Sequence, residues 1–437
     1  MRVIVAVLLA SLCASVALAG EGVGLGPGLQ QWDFLELRPG AHMFYWLYNT
    51  LANVAAPEDR PVVVWLQGGP GASSTGYGNF EELGVLDLNL NYRNSTWVNE
   101  VNVVFVDNPV GTGYSYVEKT SLIPRSNAEV AADLVTFTKL FLERNPHFVK
   151  TPFFIFSESY GGKMAAEYAL ELQKAVERGD FEVNFQGVAL GDGWVSPIDS
   201  VLTWAPFLLQ TGVVDYEGYE SIRVSAEATR KAVELGQWSL ATSLWGATEG
   251  VIMRVTDGVD FYNILYRVPA SNTRTQRSSN LGLEMYRRHL ARDDASLYAL
   301  MNGRVKEALG LPKERVWDQQ SSYVWSALTG DFMKPATDVV ERLLNETAID
   351  VVVFTGQLDL IVDTPGTLDW VQRLQWPGAA QWRSAKRRSL AVDGYVEGYT
   401  KNYGKLTFYW ITRAGHMVPT DNPEAGLTML RRVTKLE

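Results

Sequence analysis

One cysteine and four histidines are all that the 437 residues hold of the two side chains most used for soft-metal binding. Cys13 lies inside an apolar N-terminal stretch, so no downstream disulfide or thiolate chemistry is available. His42, His147, His289 and His416 form no His-x-x-x-His or His-x-x-Glu pair, which argues against a metal-dependent hydrolase. Positive charge is also short. With 39 Lys and Arg against 49 Asp and Glu, the net charge of −10 has the wrong sign for nucleic acid or an anionic membrane surface. After residue 20 no apolar run approaches the ~20 residues of a spanning helix. The ending Thr434-Lys435-Leu436-Glu437 carries neither a lipid-anchor tail nor a retrieval signal. No cofactor is expected: the glycines at Gly68, Gly69 and Gly71 are not followed by the Lys-Ser/Thr of a nucleotide loop.

What is present is an ordinary globular composition, 46% hydrophobic and 20% charged. Fourteen Trp, 19 Tyr and 17 Phe suit a deep core and an aromatic pocket. Met1 to Gly20, with Arg2, the apolar Val3–Leu12 and Ala17-Leu18-Ala19, reads as a secretory signal over 1–19 with the mature chain from 20 to 437. The expected destination is secreted or lysosomal, with no membrane anchor. The sequons Asn94-Ser95-Thr96 and Asn345-Glu346-Thr347 are then candidate glycosylation sites.

Apolar runs at Val62–Leu66, Val101–Val106, Phe153–Phe156, Val188–Leu190, Val351–Phe354 and Leu406–Ile411 lack period-two alternation. That is the texture of parallel strands covered on both faces. Ser126-Asn127-Ala128-Glu129 reads as a capping box before a helix with Val130, Leu134, Phe137 and Phe141 on one face. A second helix carries Ala165, Tyr168, Leu172 and Val176 and stops at Gly179. Alternation of strands and helices predicts an α/β fold, a mostly parallel sheet flanked by helices. From about Trp194 to Met333 strand candidates vanish, and helices over Glu220–Leu240 and Leu283–Leu309 suggest a helical cap inserted in one domain. Within it the polar Ser271–Asn280, with Arg274 and Arg277, is expected to be an exposed, protease-sensitive loop.

The sharpest local signal is Ser157-Glu158-Ser159-Tyr160-Gly161-Gly162 after the run Phe153–Phe156. A strand turning directly into a helix through small-x-Ser-x-Gly is a nucleophile elbow, which exposes the Ser159 hydroxyl at the carboxyl edge of a sheet. Such a hydroxyl needs an oriented base. Of the four histidines only His416 lies in a loop just past a predicted strand, and Asp359 follows another strand, with Asp363 as a rival four residues on. Ser, Asp, His is the chain order of the α/β-hydrolase fold. The glycine turn after Val62–Leu66 would supply the Gly69 N–H, with that of Tyr160, to an oxyanion.

Five blocks together resemble the serine carboxypeptidases. They are Gln67-Gly68-Gly69-Pro70-Gly71, Asp107-Asn108-Pro109-Val110-Gly111-Thr112-Gly113-Tyr114-Ser115, Glu158-Ser159-Tyr160-Gly161-Gly162, Gly356-Gln357-Leu358-Asp359 and Gly415-His416-Met417-Val418-Pro419. They recur in order from about Trp32 to the end. The resemblance implies an α/β-hydrolase fold and removal of the last residue of peptides or proteins with a free C-terminus, through an acyl-enzyme. It also implies a site for the substrate's carboxylate at Gln67, Gly68, Glu82 and Glu158. Such a site makes physical sense if the two glutamates share a proton, and activity should then favour acid. Gln67 stands where the family has Asn and Ala72 where it has Cys, and no disulfide ties cap to core. An esterase or lipase, or a non-catalytic binding protein on the same fold, would use the same scaffold without the glutamate pair.

Overall fold

A computed structural model describes residues 20–22, 24–267 and 294–437. The expected signal, the loop Ser271–Asn280 and the first part of Leu283–Leu309 lie outside them. Twelve strands form one sheet: β1 Gly20–Gly22, β2 Gln30–Arg38, β3 Ala41–Tyr48, β4 Val62–Leu66, β5 Asn102–Val106, β6 Tyr116–Val117, β7 Phe153–Glu158, β8 Phe185–Gly191, β9 Asp350–Gly356, β10 Arg388–Val392, β11 Tyr395–Tyr403 and β12 Leu406–Ile411. Their order is β1-β2-β3-β5-β4-β7-β8-β9-β12-β11-β10, with β6 paired to β3. The central run from β5 to β12 is parallel, and both margins are antiparallel. This is the mostly parallel α/β sheet expected from the apolar runs, in the α/β-hydrolase architecture that the motifs implied.

Strands β4, β5 and β7 at the centre are buried end to end, as parallel strands covered on both faces are. The chain leaves β4 for β5 on one side and returns to β7 on the other, so strand order reverses at β4. Loops at the carboxyl ends of β4 and β7 therefore flank a topological switch point, where α/β sheets bind ligands. The helices that matter here are α1 Asn127–Arg144, α2 Tyr160–Arg178, α3 Pro197–Gln210, α4 Tyr216–Glu234, α5 Trp238–Val255, α6 Asp294–Leu300, α7 Ser322–Phe332, α8 Thr337–Glu346 and α9 Thr364–Arg373. Helices α3 to α8 all fall between β8 and β9.

Two expectations need correction. The single helix over Glu220–Leu240 is two, because the chain reverses at Leu235-Gly236-Gln237, where Gly236 takes φ +66°. The capping box of α1 is half made: Ser126 Oγ accepts the Glu129 N–H, but the Glu129 carboxylate accepts from Arg125 N, one residue outside the helix. Gly179 ends α2 in the left-handed conformation, as its position suggested.

Candidate active site

Ser159 stands between β7 and α2 at φ 62°, ψ −132°, a conformation that costs on the order of 1–3 kcal/mol. Close packing holds it there. A Cβ on Gly161 would lie 2.4 Å from the Leu66 carbonyl, and one on Gly162 would lie 2.7 Å from Gly193 Cα. A Cβ on Gly68 would come within 2.5 Å of the Ser159 Cβ, so only glycine lets the end of β4 pass the elbow. Ser157, where a glycine is commoner, is accommodated because its hydroxyl donates to the Ala189 carbonyl at 3.0 Å. Ser159 is half-buried and opens, with Gly69, into a pocket walled by Trp194, Trp245, Trp325, Phe332 and Ile361.

The imidazole of His416 is buried, with Nδ1 2.7 Å from Asp359 Oδ2. The backbone N–H of His416 donates to the Tyr262 carbonyl at 2.7 Å, and the Tyr262 ring meets the imidazole edge to face at 5.0 Å. Nε2 has no hydrogen-bond partner among the described residues, so the Ser159 hydroxyl is not yet engaged. Contacts of this kind commonly tighten only when substrate arrives. The two loops that bring acid and base together touch through glycine. A Cβ on Gly356 would sit 1.9 Å from the Gly415 carbonyl, and one on Gly415 would sit 2.1 Å from that of Tyr262.

Asp363, the rival acid, faces elsewhere. Its Oδ1 accepts from Thr203 Oγ1 at 2.7 Å and from the Gly366 N–H at 3.3 Å as the N-cap of α9. Tyr160 begins α2, so its N–H has no intrahelical acceptor. Among the described residues neither it nor the Gly69 N–H donates to another backbone carbonyl.

Gln67, Glu82 and Glu158 come together although Gln67 is 15 and 91 residues from the two acids. Gln67 Nε2 donates to Glu82 Oε1 and to Glu158 Oε1, each at 2.9 Å. Trp65 Nε1 donates to Gln67 Oε1 at 2.8 Å, which fixes the amide so that its nitrogen faces the acids. All three are buried. Burial pushes both carboxyls up, Glu158 well above the ordinary range because the Glu82 carboxyl adds to the effect.

A family model described as serine carboxypeptidase matches residues 26–435. The chain belongs to the serine carboxypeptidase family. Retinoid-inducible serine carboxypeptidase of Mus musculus is 45% identical over 94% of this chain and 92% of its own length. Serine carboxypeptidase-like 51 of Arabidopsis thaliana is 38% identical over 93% and 92%. A prohormone-processing carboxypeptidase from Saccharomyces cerevisiae has the same fold, with a TM-score of 0.78 at 19% identity over 93% of this chain and 91% of that one. This is therefore a serine-type carboxypeptidase, and its substrates are peptides.

Sequence reasoning missed how this carboxypeptidase joins its helices to the elbow without disulfides. Asp331, on α7, accepts from the Tyr160 hydroxyl at 3.0 Å and pairs with Lys163 Nζ at 2.7 Å, while Phe332 stacks on the Tyr160 ring at 5.8 Å. The pair is buried at both ends, with 2% and 7% of the side chains exposed. Removing one partner of such a pair costs about 3–5 kcal/mol, whereas replacing both by apolar groups is close to neutral. Lys163→Met should therefore lower the denaturation midpoint strongly. Lys163→Met with Asp331→Leu should recover only part of the loss, because the buried Tyr160 hydroxyl is left without its acceptor, as urea titration would record.

Proposed function

We propose that Ser159, His416 and Asp359 are the catalytic triad, and that Glu82 and Glu158 hold the terminal carboxylate of a peptide or protein substrate with a free C-terminus. Ser159 Oγ attacks the last peptide carbonyl as His416 Nε2 takes its proton. Asp359 keeps the proton on Nδ1 and stabilises the imidazolium that forms. The Gly69 and Tyr160 N–H groups receive the negative charge of the tetrahedral intermediate. His416 then protonates the leaving amine, and water repeats the sequence on the acyl-enzyme.

The observation that carries the carboxylate role is the buried pair of Glu82 with Glu158, the residue directly before the nucleophile, both held by Gln67. Gln67 Nε2 already serves both glutamates, so the donors left for a substrate carboxylate are protons on the glutamates themselves, together with backbone N–H groups such as that of Gly68. The sign follows from the raised carboxyls. Their protonated form is favoured in the fold, so the pair's contribution is present in acid and is lost as pH rises through its raised range. Above that range two anions repel a third.

Two peptides test this, one with a free C-terminus and one amidated. KM for the free acid should be lowest in acid, below the raised range of the pair, and should rise as pH passes upward through that range. The amide carries no anion and should respond less. Glu82→Gln with Glu158→Gln should flatten the free-acid profile, because an amide donates at any pH. Identical profiles for both peptides, unchanged by the double substitution, would sink the carboxylate role and leave an esterase-like hydrolase. Passage through the secretory pathway, to the exterior or the lysosome, belongs to the same reading. Asn94 is the better glycan acceptor of the two sequons. Both asparagines are exposed, but Asn345 Nδ2 already donates to the Glu341 and Gln375 carbonyls.

A further inference from the structure

Asp192 follows β8 in Gly191-Asp192-Gly193, and neither the triad nor the carboxylate site uses it. It is fully buried at φ +40°, its N–H donates to the Phe354 carbonyl at 2.8 Å, and its Oδ1 accepts the Gly356 N–H at 2.8 Å. The backbone there has no slack. A Cβ on Gly191 would lie 2.1 Å from the Phe354 ring. Asp192 is thus clamped to the end of β9, three residues before Asp359. One of its oxygens, one of Asp359's and a ring nitrogen of His416 all lie within 4.8 Å of one another.

The hydrogen bonds of the two carboxyls divide the roles. Asp359 accepts at both oxygens, from His416 at Oδ2 and from the Val362 N–H at Oδ1 at 3.2 Å, as a carboxylate does. Asp192 accepts at Oδ1 alone. Its Oδ2 is buried without a hydrogen-bond partner among the described residues. Two bare carboxylates this close in a dry site repel strongly, and a proton on one turns the repulsion into attraction. The groups facing Asp192 are Asp359 after β9, Glu158 at the end of β7, His416 after β12, and the Thr355 hydroxyl and Gly356 N–H of β9. His416 is the one group among them that can carry a positive charge.

We infer that Asp192 is a positioning residue for the triad: its carboxyl keeps a proton and donates it from Oδ2 to the Asp359 carboxylate, fixing the acid that orients His416. The inference rests on the triad assignment above. Burial, then the Asp359 charge, pushes the Asp192 carboxyl well above the ordinary range, in keeping with a retained proton. As pH rises far enough to remove it, the donor is lost and a second anion appears beside Asp359. Activity then declines on the alkaline side for a reason separate from the glutamate pair.

An uncharged ester, which has no terminal carboxylate, isolates this effect. Asp192→Ala should lower kcat by about 10- to 100-fold, the worth of one charge-assisted hydrogen bond to a group that acts in the transition state, with KM nearly unchanged. Asp192→Asn keeps a donor that cannot ionise. It should stay within about threefold of the parent in acid and hold its kcat to higher pH than the parent does. The downfield proton resonance of the His416–Asp359 hydrogen bond should move in Asp192→Ala and stay near its place in Asp192→Asn. Parental kcat in Asp192→Ala, or Asp192→Asn as impaired as Asp192→Ala, would overturn the proposal. If Asp192→Ala does not fold, the alkaline limb of Asp192→Asn decides, and an unshifted limb overturns it. Ser159→Ala run in parallel separates the failures. If it is inert, the triad stands and only the role of Asp192 is at stake; if it is active, both fall.

Discussion

Ser159→Ala should lower kcat by roughly 10⁶ and abolish labelling by a fluorophosphonate, with thermal stability unchanged. The size follows from what the substitution removes. In the proposed mechanism it deletes the one atom that bonds to the substrate carbonyl, and no neighbouring hydroxyl can replace it, because the elbow presents a single side chain at the edge of the sheet. The residual rate would be that of the oxyanion donors and bound water alone. Stability should hold because the strain at φ 62° belongs to the backbone and alanine keeps the same Cβ. The glycine contacts of Gly68, Gly161 and Gly162 around the turn also remain. The buried His416 Nε2 has no hydrogen-bond partner to lose. Intact-mass analysis after probe treatment, with ester turnover and a melting curve on the same preparation, measures all three. Undiminished turnover by a clean preparation would remove Ser159 from the mechanism.

Much of this architecture was legible because parallel strands announce themselves. Val62–Leu66 and Phe153–Phe156 are continuous apolar runs, and a strand covered on both faces has no polar side to interrupt it. The antiparallel margins were not legible. Gln30–Arg38 mixes buried Gln30, Gln31 and Asp33 with apolar residues, and those polar groups are tolerated only through partners elsewhere, such as Gln30 with Trp46 and Asp33 with Arg144. The single helix read over Glu220–Leu240 failed because one glycine outweighs a continuous helical pattern. At the site, the glycines at 68, 161, 162, 356 and 415 mark where backbones touch, and short motifs carry that information. Asp192 and the Lys163–Asp331 pair were invisible for the opposite reason. Each is an ordinary residue in its own segment, and its role comes from a partner brought in by the fold, 168 residues away for the contact of Lys163 with the Asp331 carbonyl. The choice between Asp359 and Asp363 was open for the same cause, since spacing alone cannot say which of two buried carboxyls faces His416.

Asp359→Asn should lower kcat by roughly 10⁴, whereas Asp363→Asn should change it by no more than a few-fold. The two substitutions are chemically identical and four residues apart, so any difference between them reports environment. At position 359 the amide replaces the carboxylate that faces His416 Nδ1 at 2.7 Å. An amide oxygen there cannot stabilise the imidazolium formed when Ser159 attacks. An amide nitrogen there would donate to Nδ1, place the ring proton on Nε2 and leave no base for the hydroxyl. Either orientation defeats proton transfer while leaving the volume unchanged, so KM should move little. At position 363 the side chain caps α9 and accepts from Thr203 and Gly366 through Oδ1. Asparagine caps a helix about as well as aspartate. Burial already holds the Asp363 carboxyl well above the ordinary range, so the amide resembles the protonated acid it replaces. Its stability cost should be under about 1 kcal/mol, within the scatter for substitutions that preserve a cap. Ester kcat measured for both variants at the parent's optimal pH makes the comparison. A larger loss at Asp363 than at Asp359 would transfer the orienting role to the capping residue and require the His416 loop to rearrange on substrate binding.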